Sequence, residues 1–114
     1  MKECLFCKIA SGEIPAKVVY KDEQVIAFED IKPQAPVHII IIPRTHIETI
    51  ADMDTDNSRD LVDIFEVSKR IATDKNILEK GYRLVINCRE DGGQEIYHMH
   101  IHLLGGRKMA WPPG

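Results

Sequence analysis

His98-Met99-His100-Ile101-His102-Leu103-Leu104 alternates imidazole with hydrophobe. On an extended strand successive side chains face opposite ways, so a period of two sends all three imidazoles to one face and Met99, Ile101 and Leu103 to the other. A helix would split them, because positions two apart there point to nearly opposite sides. The stretch therefore predicts a strand from His98 to Leu104 with an apolar face for a core and a titratable face for chemistry. Three imidazoles in line are costly to pack as core, and clustered titratable groups point to function.

Working outward, Tyr82 to Cys88 alternates in strand fashion, and His38 to Ile42, bounded by Pro36 and Pro43, is rich in β-branched residues and predicts a buried central strand. Val18 to Tyr20 and Val25 to Glu29 predict two more, joined by the polar turn Lys21-Asp22-Glu23. From about Asp56 to Leu78, the residues Leu61, Ile64, Phe65, Ser68, Ile71 and Ala72 recur at three- and four-residue steps, which defines one face of a long helix. Thr55 or Ser58 can cap its start, Lys80 suits its C-terminal dipole, and Gly81 can close it in the left-handed conformation. The stripe through Phe65 and Ile71 reads as packing. Cys4 to Ala10 predicts a short N-terminal helix that stops at Ser11-Gly12. Five strands consecutive enough to pair antiparallel, one long helix and one short one predict an α+β fold in a single domain, residues 1–114. One long helix covers one sheet face, which leaves the other for a ligand, a partner subunit or both.

A composition of 44 % apolar and 29 % charged residues argues against a disordered chain, a collagen-like repeat or a coiled coil. A net charge of −3 with histidine neutral does not favour a broad grip on a nucleic acid polymer, but it leaves a small anionic ligand open. The longest apolar run, Val37 to Pro43, is strand-length and interrupted by His38, so no membrane span is expected. The apolar patch near the start is too short for a signal peptide, and three cysteines make no disulfide framework, so a cytoplasmic protein is expected.

Two chemistries suit the three histidines. They can hold a catalytic metal with an open fourth position. Alternatively one ring nitrogen attacks phosphorus while its neighbours donate to the phosphate oxygens and protonate the leaving group. The turn Asp91-Gly92-Gly93-Gln94-Glu95 favours phosphate, because glycine lets backbone N–H groups close on an anion. Cys4-Leu5-Phe6-Cys7 has metal or redox spacing. The redox reading lacks a preceding strand, and a zinc site needs two more ligands. The plain alternative is two small buried hydrophobes. Cys88 reads as a strand residue without a role.

The stretch Asp91-Gly92-Gly93-Gln94, then Tyr97-His98-Met99-His100-Ile101-His102-Leu103-Leu104-Gly105-Gly106-Arg107, resembles the signature of the histidine-triad (HIT) superfamily. It is most similar to the nucleotide-binding (HINT) branch, which adds Phe28-Glu29-Asp30-Ile31, Pro33-Gln34-Ala35-Pro36, His38, Pro43 and a terminal Trp111-Pro112-Pro113-Gly114. The resemblance runs from Cys4 to the last residue. It implies hydrolysis of nucleoside 5′-phosphoramidates, typically adenosine ones, and of related acyl- or amine-linked nucleotides, through a nucleotidyl-histidine. His100 would be the nucleophile, His102 would contact the phosphate, and His38 would complete a polar relay. Asn87, Gly93, Gln94 and Glu95 would hold the α-phosphate. Glu95 stands where animal members carry a serine, so its backbone N–H, rather than its carboxylate, would make the contact. Asp30 would bind the ribose hydroxyls, with Phe6, Ile9, Phe28, Glu29, Ile31 and Ile40 around the base. The presence of His102, which transferase relatives replace with glutamine, favours hydrolysis.

In some bacterial members of similar sequence the cysteine pair joins a histidine of an Arg-x-His position, here Arg44-Thr45-His46, and the first triad histidine. Cys4, Cys7, His46 and His98 would then form a closed structural zinc site. No metal is expected in the catalytic step itself. The resemblance also implies a homodimer with one continuous ten-stranded sheet, in which the tail carrying Arg107, Lys108 and Trp111 crosses to the other subunit and shapes its substrate site, with Trp111 among the substrate-binding residues. Two further readings remain at the level of sequence: a nucleotide-sensing or scaffold module with incidental turnover, and a metal-dependent enzyme built on the histidine triple.

Overall fold

The computed structural model describes residues 4–114; the first three residues of the domain expected over 1–114 lie outside the described residues. Among the described residues the chain runs α1 (Leu5–Ala10), β1 (Val18–Lys21), β2 (Val25–Glu29), β3 (Val37–Pro43), a 3-10 turn (Ile50–Asp52), α2 (Arg59–Asp74), β4 (Tyr82–Val85), α3 (Arg89–Gly92) and β5 (Ile101–Gly105). The five strands form one antiparallel sheet in the order β1-β2-β3-β5-β4. This is the expected α+β architecture. No helix among the described residues is long and apolar enough to cross a membrane.

Local chemistry explains the elements. The Asp22 carboxylate accepts the N–H groups of Gln24 and Val25 at 2.7 and 2.8 Å, an Asx arrangement that turns β1 into β2. In β3 the run Ile39-Ile40-Ile41-Ile42 is buried on both faces, as suits a central strand of β-branched residues. Ile39 and Ile41 join Met99, Ile101 and Leu103 on one face of the sheet, where Ile64, Val67, Ile71 and Ala72 of α2 close the core. On the opposite face Ile40 and Ile42 pack with Ile26, Phe28 and Phe6 of α1. Each such side chain contributes about 1.5–3 kcal/mol on burial. The short helix therefore covers the histidine face only in part, and that is where the site lies.

Several expectations are corrected. The long helix spans Arg59–Asp74 rather than Asp56 to Leu78. Asn76, with φ 61°, takes the left-handed position, and Ile77 folds back under the helix with its N–H on the Ala72 carbonyl. Gly81 and Lys80 thus lie beyond the helix end. Ser58 takes the N-cap place but makes no capping hydrogen bond. Phe65 is exposed, and Val67 takes the buried place given to it, because the packed stripe is rotated toward residues 64, 67, 68 and 71. Ladder pairing covers only Ile101–Gly105 of the stretch read as a strand from His98, and only Tyr82–Val85 of the one read to Cys88. The glycine turn is the end of α3, which closes at Gly93 with φ 79°.

Candidate active site

His98 to His100 precede the ladder, yet the alternation persists: Met99 and Ile101 are in the α2 core, while the three imidazoles share the opposite face. His98 is fully buried and its Nε2 stands 2.7 Å from the Pro43 carbonyl. His100 Nδ1 stands 2.7 Å from the His98 carbonyl. A carbonyl oxygen only accepts, so both nitrogens carry the proton and donate it. The other nitrogen of each ring, Nδ1 of His98 and Nε2 of His100, is left as a lone pair. Phe6 meets the His100 ring edge to face at 5.0 Å and the His98 ring at 6.0 Å. Burial lowers His100, with the His98 carbonyl and the Asp30 charge acting in the opposite direction. The ring is neutral near pH 7, as a nucleophile must be.

His38 and His102 lie diagonally across β3 and β5, opposite Leu104 and Ile40 respectively, with His38 Nε2 and His102 Nδ1 2.9 Å apart. The Gln34 N–H donates to His38 Nδ1 at 3.0 Å. That contact decides the tautomers: His38 carries its proton on Nε2 and gives it to His102 Nδ1, which leaves His102 with an Nε2–H donor. Asp30 stands 3.4 Å from the same His38 nitrogen while its other oxygen accepts the Lys32 N–H at 2.7 Å. Burial pushes His102 down to about 4, helped by His100 and His38, and burial also lowers His38 against the pull of Asp30. Asp30, His38 and His102 are close enough to suggest a metal set. The tautomers argue otherwise: a cation on His38 Nε2 would have to displace a proton while Nδ1 is held by an N–H donor, leaving an imidazolate.

The second cluster has opposite chemistry. Cys4, Cys7, His46 and His98 bring four ligand atoms within 4.8 Å of one another. His98 Nδ1 is 3.3 Å from Cys4 Sγ and 3.5 Å from Cys7 Sγ, and His46 Nδ1 is 3.3 Å from Cys7 Sγ. A tetrahedral site with zinc–sulfur bonds of about 2.3 Å and zinc–nitrogen bonds of about 2.0 Å has sulfur–nitrogen edges near 3.5 Å. The His98 lone pair is already turned inward, and its Nε2–H on the Pro43 carbonyl is the outer-shell bond that metal-ligating histidines make. Burial, reinforced by the hydrogen bond and charge of Cys4, pushes the Cys7 thiol up to about 11, and a divalent cation is what would reverse that preference. The cysteine pair caps α1, with Cys4 Sγ accepting the Cys7 N–H. This group can hold a metal ion.

The remaining residues named from sequence are spread around these two clusters. Phe6, Phe28 and Ile40 are buried beneath α1, Ile9 packs beside them, and Ile31 is 93 % exposed. Glu29 stands 3.9 Å from Lys17. Asn87 is half-buried between β4 and α3, and Glu95 is exposed. The Gln94 side chain is buried and fully used, donating to the Glu48 and Ile96 carbonyls and accepting the Arg89 N–H, so it braces the loop. Trp111 is 81 % exposed. A cleft of about 600 Å3 lies beside Ile9, Val18, Ile26 and Arg44 rather than at the imidazoles, and Arg44 there is committed to the Ala10 and Asp22 carbonyls. The sequence reading missed the main-chain partners, the Gln34 amide and the carbonyls of Pro43 and His98. Only the prolines bracketing Gln34 hinted at a shaped loop there.

Comparison with known proteins gives a consistent picture. The family profile described as HIT domain matches residues 11–109. A purine nucleoside phosphoramidase of Escherichia coli strain K12 is 47 % identical over 109 residues, covering 96 % of this chain and 92 % of its own. Among solved structures, a HIT family hydrolase from Legionella pneumophila Philadelphia 1 superposes with a TM-score of 0.96 at 56 % identity, over 98 % of this chain and all of its own. A histidine triad nucleotide-binding protein from Candida albicans does so at 0.83 and 30 % identity, over 96 % and 83 %.

Proposed function

The chain belongs to the HIT domain family, and from that premise we infer that it is a hydrolase of nucleoside 5′-phosphoramidates, adenosine ones foremost, working through a nucleotidyl-histidine. The observation that carries the reading is the His100 ring: buried, its Nδ1–H spent on the His98 carbonyl, its Nε2 left as a lone pair. In the first step Nε2 attacks phosphorus, the P–N bond to the leaving amine breaks, and the amine nitrogen takes up a proton from solvent. In the second step water attacks the same phosphorus and releases a proton to solvent, the bond to His100 breaks, and the nucleoside monophosphate leaves. His102, held by His38, donates from Nε2 to a phosphate oxygen as charge develops there. Asn87 and the Glu95 N–H hold the rest of the phosphate, on a turn shaped by Gly93 and Gln94, whose own N–H groups are spent on the Glu90 and Arg89 carbonyls. Asp30 takes the ribose, and Phe6, Ile9, Phe28, Glu29, Ile31 and Ile40 surround the base.

Cys4, Cys7, His46 and His98 hold a structural zinc ion that ties α1 to the sheet; when bound, it supplies folding energy and keeps both thiols as thiolates. Residues 1–114 act as one domain and pair into a homodimer. Helix α2 lies over β3, β2 and β1, which leaves Tyr82 and Leu84 of the edge strand β4 half-covered, and Val62 and Phe65 of α2 are exposed. A second copy joined at β4 would cover them, extend the sheet to ten strands and bring Trp111 toward the partner's site. The free thiols suit a reducing cytoplasm.

The decisive test is His100→Asn, assayed on an adenosine phosphoramidate together with mass spectrometry of acid-quenched enzyme. Turnover falls by at least about 1,000-fold and the nucleotidyl adduct disappears while the circular dichroism spectrum is unchanged. Survival of either activity or adduct would remove His100 from the reaction.

A further inference from the structure

The relay that orients His102 does not end at His38. Gln34, whose N–H fixes the His38 tautomer, offers its carbonyl to the C-terminal segment: Arg107 donates to it from Nη2 at 2.9 Å and Nε at 3.2 Å, with Nη1 on the Lys108 carbonyl at 3.3 Å. The backbone reaches that loop by close approach. Gly106 has φ 91°, and a Cβ there would lie 2.8 Å from Pro36 Cβ, so only glycine fits against the Pro36 ring. Two independent contacts thus press the segment after β5 onto the loop before β3.

We propose that Arg107 is a positioning residue for the histidine relay: by clamping the Gln34 carbonyl it holds the Gln34 N–H on His38 Nδ1, so that His38 keeps its Nε2–H and His102 keeps its Nε2–H donor. The assignment rests on the reaction inferred above. A neutral imidazole has two tautomers of similar energy, and the partner of one nitrogen selects between them. Without the amide, only the Asp30 carboxylate, 3.4 Å from Nε2, still favours the Nε2 proton, and His38 can carry its proton on Nδ1. Its bare Nε2 then faces His102 Nδ1, which must take a proton to avoid lone-pair repulsion, and the bare His102 Nε2 is turned on an anionic phosphate. One displaced peptide reverses the direction of the relay. A guanidinium suits this work, because its planar fork makes charge-assisted bonds to one carbonyl from two nitrogens.

The test combines kinetics with nitrogen NMR of the imidazoles in the full-length protein. Arg107 is exposed, so Arg107→Met keeps the fold. Its kcat falls about tenfold with KM within about twofold, since the phosphate contact is lost chiefly in the transition state. The His38 and His102 nitrogen resonances move from one tautomer toward the average of two. Arg107→Lys, which keeps a charged donor, restores part of both, and Gly106→Ala, which lifts the segment off Pro36, shifts them as Arg107→Met does. Unshifted nitrogen resonances in Arg107→Met would overturn the assignment. Failure of the wild type to cleave any phosphoramidate would overturn the reaction instead, and the nitrogen resonances would still decide the role of Arg107.

Discussion

His102 is pushed from 6.5 to about 4 by burial, with His100 and His38 adding to the effect, and His38 and His100 are lowered for the same first cause. His102 stays neutral well below the pH at which a free imidazole charges, and His38 and His100 are shifted in the same direction. For kcat/KM, which reports the free enzyme, the acid limb therefore lies below 6.5. On acidification from pH 7 to about 5.5 the rate should fall by less than the tenfold expected of an ordinary imidazole, which would be some 90 % protonated there. A tenfold loss by that point would show that the rings titrate normally. The sign for stability follows from the same groups. Between about 4 and 6.5 the unfolded chain binds more protons than the folded one, so stability rises with pH across that window and is lost as pH falls through it. Melting temperature should drop on acidification from pH 7 toward about 5. The order of imidazoles was legible in the sequence because a period of two is stated by side chains alone. Which nitrogen of each carries a proton was not, since that is decided by the main-chain groups of Gln34, His98 and Pro43, which no residue name reveals.

Helix α1 is six residues long, too short to persist by propensity, and it is held by the buried Phe6 and by the cysteine cluster at its start. Elemental analysis of the purified protein should find about one zinc per chain, and Cys4→Ser should lose it with a fall in melting temperature of about 5–10 °C. Because Phe6 sits between the two cysteines and against His100, the same variant should also loosen the nucleophile. A metal-free wild type with unaltered melting would leave the cysteines as packing residues. The extent of α1 was readable because Cys4 and Ser11 bracket it. The end of α2 was not: Asn76 and Gly81 both accept the left-handed conformation, and the chain turns at Asn76 because Ile77 then reaches the core. Phe65 illustrates the same limit, for the helical period allows a stripe through residue 65 or 67 and only the sheet beneath chooses.

At the scale of the molecule, sedimentation should give twice the 13.0 kDa of one chain, and Phe65→Glu on the uncovered flank of α2 should shift it to monomer. A monomeric wild type would sink the ten-stranded sheet. Strand number and antiparallel pairing were legible from the spacing of apolar runs. The insertion of β5 between β3 and β4, which sets the triad beside His38, is a long-range pairing that local pattern does not specify. The bond from Gln34 to His38 has a consequence for how this site can change over generations. Its donor is a peptide group, present whatever side chain occupies position 34, so that residue is free to drift without disturbing the relay. Proline is the exception, since it has no N–H to give. The essential atom at that position is one that every other amino acid supplies, and a catalogue of invariant side chains would pass over it.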